Sequence, residues 1–240
     1  MENLRISTIT GIGSFSCDIS LDDLYTQLGI DETIKLIKYK DQPYKGDIEL
    51  SKKKKKKSFY NQLTILVYYN DKIVNVKVFN NGKIQMTGLK ETSVCGEILE
   101  VLRTKMVKYK LIPTISDISI NSSEIVLINS DFSIGYKINP DILYREILNK
   151  GLFVTYEPCI YPGVNIKYYN KEDVNTGGIC NCENPCNGKG KNGDCKRITI
   201  AVFNSGNIII TGAKRKEELV ICYNFIKNTI DENRELLELK

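Results

Sequence analysis

The stretch Phe79–Lys90 reads FNNGKIQMTGLK, and much further along Phe203–Lys214 reads FNSGNIIITGAK. Seven of the twelve positions are identical, which is more than two unrelated turns between strands would share. The chain therefore repeats itself, and a repeat has to be read before anything else.

Working outward, both copies lead into the same pattern. After Lys90, apolar residues recur at Cys95, Ile98, Leu99, Leu102 and Met106; after Lys214 they recur at Leu219, Cys222, Tyr223, Ile226 and Ile230. That spacing predicts one apolar face on a helix of about four turns in each copy. Glu97, Glu100 and Arg103 fall on the other face of the first, and Lys216, Asn224 and Lys227 on that of the second.

Upstream, LTILVYY (63–69) and KIVNVKVF (72–79) flank Asn70-Asp71, a hairpin signal. In the second copy YPGVNIKYY (161–169) and RITIAVF (197–203) flank a long insertion. Earlier still, DISLDDLYTQL (18–28) and KINPDILYREIL (137–148) each read as a strand end followed by a short helix. Asp22 and Asp141 suit a first helical turn. Each half is thus strand, short helix, antiparallel strands and long helix. One long helix cannot cover both faces of such a sheet, so one face is left open for binding.

The bulk numbers agree with a folded chain and narrow its chemistry. Of 240 residues, 42% are hydrophobic and 26% charged, a globular composition. No apolar run is long enough to cross a bilayer, and MENLRISTIT does not read as a secretory signal. The expectation is an intracellular protein with reduced or metal-bound cysteines. Histidine is absent, which removes Ser–His and Cys–His nucleophile pairs and histidine metal sites. No GxxxxGK[ST] loop occurs. The formal net charge of +5 is a mild bias towards anionic partners, and Lys52–Lys57 form a run that is either a solvated loop or a phosphate contact.

The doubled F-x-[SN]-G-x-[IVM]-x-x-T-G-[AL]-K pattern closely resembles the TATA-box-binding protein core. YEPCIYPGVNIKYY (156–169) resembles that family's YEP-x-x-FPG segment, in the right order. The richness in Lys, Ile and Asn resembles the divergent version carried by giant DNA viruses. The resemblance implies an α+β saddle: one curved ten-stranded antiparallel sheet with four helices on its convex face. The concave face would meet the minor groove, with aromatic wedges prying base steps apart, a mode for which this family is itself the usual illustration. Residues 1–118, with a Lys-rich loop at 45–58, would form the first repeat; residues 119–240, with a Cys-rich insertion at 171–197, the second.

The resemblance assigns wedges to Phe79, Phe203 and Tyr161, the last a tyrosine where the family has phenylalanine. The fourth falls at Phe59 or Tyr60, with Tyr44 further off. Thr87 and Thr211 would meet the acceptors on the groove floor. Gln85 and Ile209 stand where the family keeps valine, and only Ile209 preserves the apolar surface. At the family's two central asparagines stand Thr8 and Leu127, with Asn129 two residues on. Lys77, Lys83, Lys90, Lys167 and Lys214 are the expected phosphate contacts. Glu157 is kept in the segment that meets a transcription factor IIB-like partner, but Cys159 replaces an acidic residue.

The insertion GGICNCENPCNGKGKNGDCKR (177–197) has no counterpart in the family. Cys180, Cys182, Cys186 and Cys195 follow C-x-C-x3-C-x8-C, and four thiolates at this spacing can close around one zinc ion. The alternative is a loose or redox-active loop. Two functions compete for the whole chain. One is a non-enzymatic initiation factor that binds and bends A·T-rich promoter DNA with the RNA polymerase machinery, in a host nucleus, in a cytoplasmic viral factory or packaged in the virion. The other is an adaptor with weakened TATA readout acting through protein contacts. No membrane or small-molecule substrate is expected.

Overall fold

The structure is a computed structural model that describes residues 4–51, 60–109, 111, 118–172, 174–184, 186–189 and 193–239. Phe59 and the lysine run at 52–57 lie outside the described residues. Two compact units emerge. The first is Thr8–Val126; the second joins the residues through Ser7 to those from Leu127 onward.

Along the first half run β1 (Arg5–Phe15), α1 (Leu21–Gln27), β2 (Ile34–Tyr39), β3 (Lys45–Gly46), β4 (Gln62–Tyr69), β5 (Lys72–Phe79), β6 (Lys83–Leu89) and α2 (Val94–Lys108). Their antiparallel order is β1-β6-β5-β4-β2-β3. The second half runs β7 (Ile120–Ser133), α3 (Pro140–Asn149), β8 (Phe153–Glu157), β9 (Tyr161–Lys171), β10 (Val174–Gly178), β11 (Lys196–Phe203), β12 (Asn207–Ala213), α4 (Lys216–Glu232) and α5 (Arg234–Leu237). Its order is β7-β12-β11-β9, with both β8 and β10 on the far edge of β9. β1-β6-β5-β4-β2 matches β7-β12-β11-β9-β8 strand for strand, and the class is α+β as expected. The described residues carry twelve strands and five α-helices rather than ten and four. The additions are the short edge strands β3 and β10, which flank the two insertions, and the terminal α5.

The repeated motif has the same local cause in both copies. Gly82 and Gly206 have φ of 73° and 80° and donate to the carbonyls of Phe79 and Phe203, closing the tight turn. Asn80 and Asn204 accept from the N–H of Ile19 and Ile138, tying each turn to the chain end that enters the short helix. Gly88 and Gly212, with φ of 96° and 100°, sit where the register of β6 on β1 and of β12 on β7 slips. They are bulge residues, so the Thr-Gly pair marks a bend in each strand. Asn70 and Asp71 both take left-handed φ, the hairpin geometry that their sequence predicts.

Strand alternation sorts the two faces. Val74, Val76, Val78, Ile84 and Met86 are buried, while Asn75, Lys77, Phe79, Gln85 and Thr87 between them are half-buried on the opposite face. The helices take the apolar face. Cys95, Ile98, Leu99, Leu102 and Met106 of α2, and Leu219, Cys222, Ile226 and Ile230 of α4, are all buried. Gly11 and Gly13 of β1 lie directly under Cys95 and Leu99, where a Cβ would come within 2.6 Å and 2.5 Å. Two buried-side contacts fix the periphery of the first unit. Lys45 donates to the carbonyls of Tyr25, Thr26 and Leu28, satisfying the end of α1. Lys105 of α2 pairs with Asp31 in the entry to β2, both side chains largely shielded from water.

Candidate nucleic-acid interface

In the second unit Tyr161 opens β9 and Phe203 ends β11. Their rings meet edge to face, centroids 5.7 Å apart. Gly163 makes this possible, because a Cβ there would lie 3.0 Å from both rings. Tyr161 is 40% exposed and Phe203 half-buried. In the first unit Phe79 ends β5, half-buried like Phe203. Register then locates its companion. Val78 pairs with Leu63 as Val202 pairs with Val164, so Tyr60 holds the place of Tyr161. Tyr60 is 73% exposed. Tyr44 is engaged elsewhere, with the Lys38 ammonium 5.0 Å from its ring centre.

The face opposite the helices carries cross-strand rows. In the first unit Thr64, Lys77, Gln85 and Ile12 stand side by side, and next to them Asn75, Thr87 and Thr10. In the second unit Lys167, Thr199 and Thr211 form one row, and Asn165, Ala201, Ile209 and Asp131 the other. Thr87 and Thr211 are half-buried at corresponding places. Thr8 accepts the N–H of the bulge residue Gly88 at 3.2 Å, so its oxygen serves the bend first. Asn129 is half-buried, and its Oδ1 finds no partner among the described residues; the same holds for Asn75 Oδ1. A shielded acceptor without a donor is costly unless a ligand supplies one.

The lysines divide into two kinds. Lys83, Lys90 and Lys214 are exposed at the ends of β6 and β12. Lys77 and Lys167 lie half-buried on the face itself. Lys167 donates to Asn165 Oδ1 at 2.8 Å and Thr199 Oγ1 at 3.1 Å. Burial, helped by the charge of Arg197, holds its ammonium below the usual lysine range.

Several residues of this face escaped the sequence reading. Asp131 lies in register with Ile209, and its carboxylate accepts from Arg5 at 2.9 Å and from Ser7. Asn75 and the exposed Phe153, opposite Lys167, are further examples. Only strand parity could have found them, and the bulges hide it.

At the other edge, Cys180, Cys182, Cys186 and Cys195 bring their sulfurs within 4.8 Å of one another. The backbone N–H of Gly188 points at Cys186 Sγ, 3.2 Å away. Gly193 packs so close that a Cβ would lie 2.9 Å from Cys182 Sγ and 3.0 Å from Cys186 Sγ. Hydrogen bonds from the Cys195 backbone and thiol draw the Cys182 thiol down, and burial pushes that of Cys195 up. Such a cluster could hold a metal ion.

Comparison with known proteins agrees with this geometry. The family profile of transcription factor TFIID (or TATA-binding protein, TBP) matches residues 123–232. A TATA-box-binding protein-like protein of Acanthamoeba polyphaga mimivirus is 32% identical over 257 aligned residues, covering 95% of this chain. These matches support a divergent TATA-box-binding-protein-like chain. It spans 65% of the length of that viral relative. Methanococcus jannaschii TBP superposes with a TM-score of 0.55 over 96% of this chain and 99% of its own, at 18% identity. The fold is therefore the TATA-box-binding-protein fold. No helix among the described residues is long and apolar enough to cross a membrane.

Proposed function

We propose that the chain is a transcription initiation factor that binds A·T-rich promoter DNA through the minor groove and bends it. The observation that carries this is the Phe203–Tyr161 ring pair at the end of the helix-free face of the second unit, with Phe79 and Tyr60 at the matching register positions of the first. A flat, rigid, part-exposed ring replaces a stacked base as neighbour, which offsets the cost of opening the step. Thr87 and Thr211 reach the floor acceptors, and Lys83, Lys90 and Lys214 the phosphates. The chain acts by binding, not by catalysis. The turn at Glu157–Ile160 meets a transcription factor IIB-like partner, and through it the polymerase, in a host nucleus or a viral factory.

Zinc in the four-cysteine cluster belongs to the same proposal. The donor set is all thiolate, the glycines leave room for close approach, and the segment has little apolar surface to order it otherwise. The ion would supply folding energy to the insertion, with no chemical step.

The test is binding to a TATA-containing duplex and to a G·C-substituted one at fixed salt, with bending read by energy transfer between end labels. Preferred, bent binding of the first supports the proposal. Equal affinity without bending favours the adaptor reading, for which Asp131 on the face and Leu127 in place of an asparagine speak.

A further inference from the structure

The rows in the two units differ in one respect that bears on sequence readout. In the second unit the buried Ala201 pairs with the half-buried Ile209, an apolar pair between Asn165 and Asp131 in the same row. In the corresponding place of the first unit Lys77 pairs with Gln85. All four belong to the face opposite the helices, and Lys77, Gln85 and Ile209 are half-buried there.

In the minor groove every base pair presents acceptors, while only G·C adds a donor, the guanine 2-amino group. An apolar pair pressed on the floor leaves that amino group both crowded and unpaired, so it discriminates against G·C. A lysine and a glutamine do not. The ammonium donates to acceptors that all four pairs share. The glutamine carboxamide has an oxygen that accepts from the guanine amino group and a nitrogen that donates when the amino group is missing.

We infer that the A·T requirement is confined to the steps under Ala201 and Ile209, and that Lys77 and Gln85 accept either kind of pair in their half of the site. The protein thereby binds an asymmetric element in one orientation. Asp131, next to Ile209, has its carboxylate held by Arg5 and Ser7. This inference rests on the minor-groove reading above.

The experiment scans single G·C pairs, and single inosine·C pairs, across an otherwise A·T duplex, measuring affinity of the full chain at fixed salt. Inosine lacks the 2-amino group and is otherwise guanine. A G·C pair should cost about tenfold or more in one half of the site and less than about threefold in the other, with inosine·C tolerated in both. Gln85→Val should extend the penalty into the tolerant half, and Ile209→Gln should relieve it in the strict half. Circular dichroism checks that both variants fold, and either one alone decides the matter. A symmetric profile, or a profile that neither variant alters, overturns the inference while leaving DNA binding intact. No binding to any duplex would instead remove the minor-groove reading itself.

Discussion

Phe203 meets Tyr161 edge to face, and Gly163 lies beneath both rings. The pair is held by packing alone, so each ring can be removed without unpairing a buried polar group. Phe203→Ala should weaken binding to an A·T duplex by roughly tenfold to a hundredfold, since base–ring stacking is worth about 1–3 kcal/mol per base. Bending should fall with it. Phe79→Ala should do the same in the other unit. Gly163→Ala pushes both rings apart and should reduce bending more than stability. Energy transfer across labelled duplexes, with thermal melting of the free protein, separates the two effects.

Salt dependence discriminates among the lysines. Lys83→Ala and Lys214→Ala should each reduce the slope of log affinity against log salt by about 0.9. Lys167→Ala should change the slope less, because its ammonium is committed to Asn165 and Thr199 and holds that row together. Fluorescence titrations at four salt concentrations give the slopes.

Acid should expose the role of Asp31. Burial pushes its carboxyl up, but hydrogen bonds from Lys105, Ile34 and Thr33 outweigh burial and leave it at about 2. The usual carboxylate value is about 3.9, so the folded state holds the charged form more firmly than the unfolded chain does. That stability, roughly 2 kcal/mol, is present above pH 4 and lost as pH falls towards 2. Asp31→Asn should therefore be clearly less stable than the parent at pH 6 and nearly equal to it at pH 2. Urea unfolding at the two pH values measures this.

Chelation tests the cysteine cluster. The purified chain should carry one zinc ion by elemental analysis, and Cys186→Ser should lower that content. Metal removal should open the segment between β10 and β11 to proteases while leaving the strands around it protected. A metal-free protein with the same protease pattern as the parent would count against the site.

The architecture was largely legible in the sequence because the chain states it twice. The helix positions Cys95 to Met106 and Leu219 to Ile230, and the hairpin at Asn70-Asp71, follow from spacing and turn chemistry alone. The face was less legible. Tyr60 could not be chosen over Phe59 without the pairing of β4 and β5, because a register slip of one residue turns a strand over. Asp131 was missed for a related reason: in β7 the parity of each residue depends on the bulge at Gly212 in its partner. The edge strands β3 and β10 carry too few residues to show a period at all.

The make-up of the two units has a consequence for synthesis. Thr8–Val126 is one uninterrupted segment, so a ribosome has released everything the first unit needs once Val126 emerges. The second unit has no such freedom: Arg5, made before the first unit, must wait for Asp131, made after it. Assembly of the newborn chain therefore has a built-in direction, with the first unit complete in sequence before the second can close.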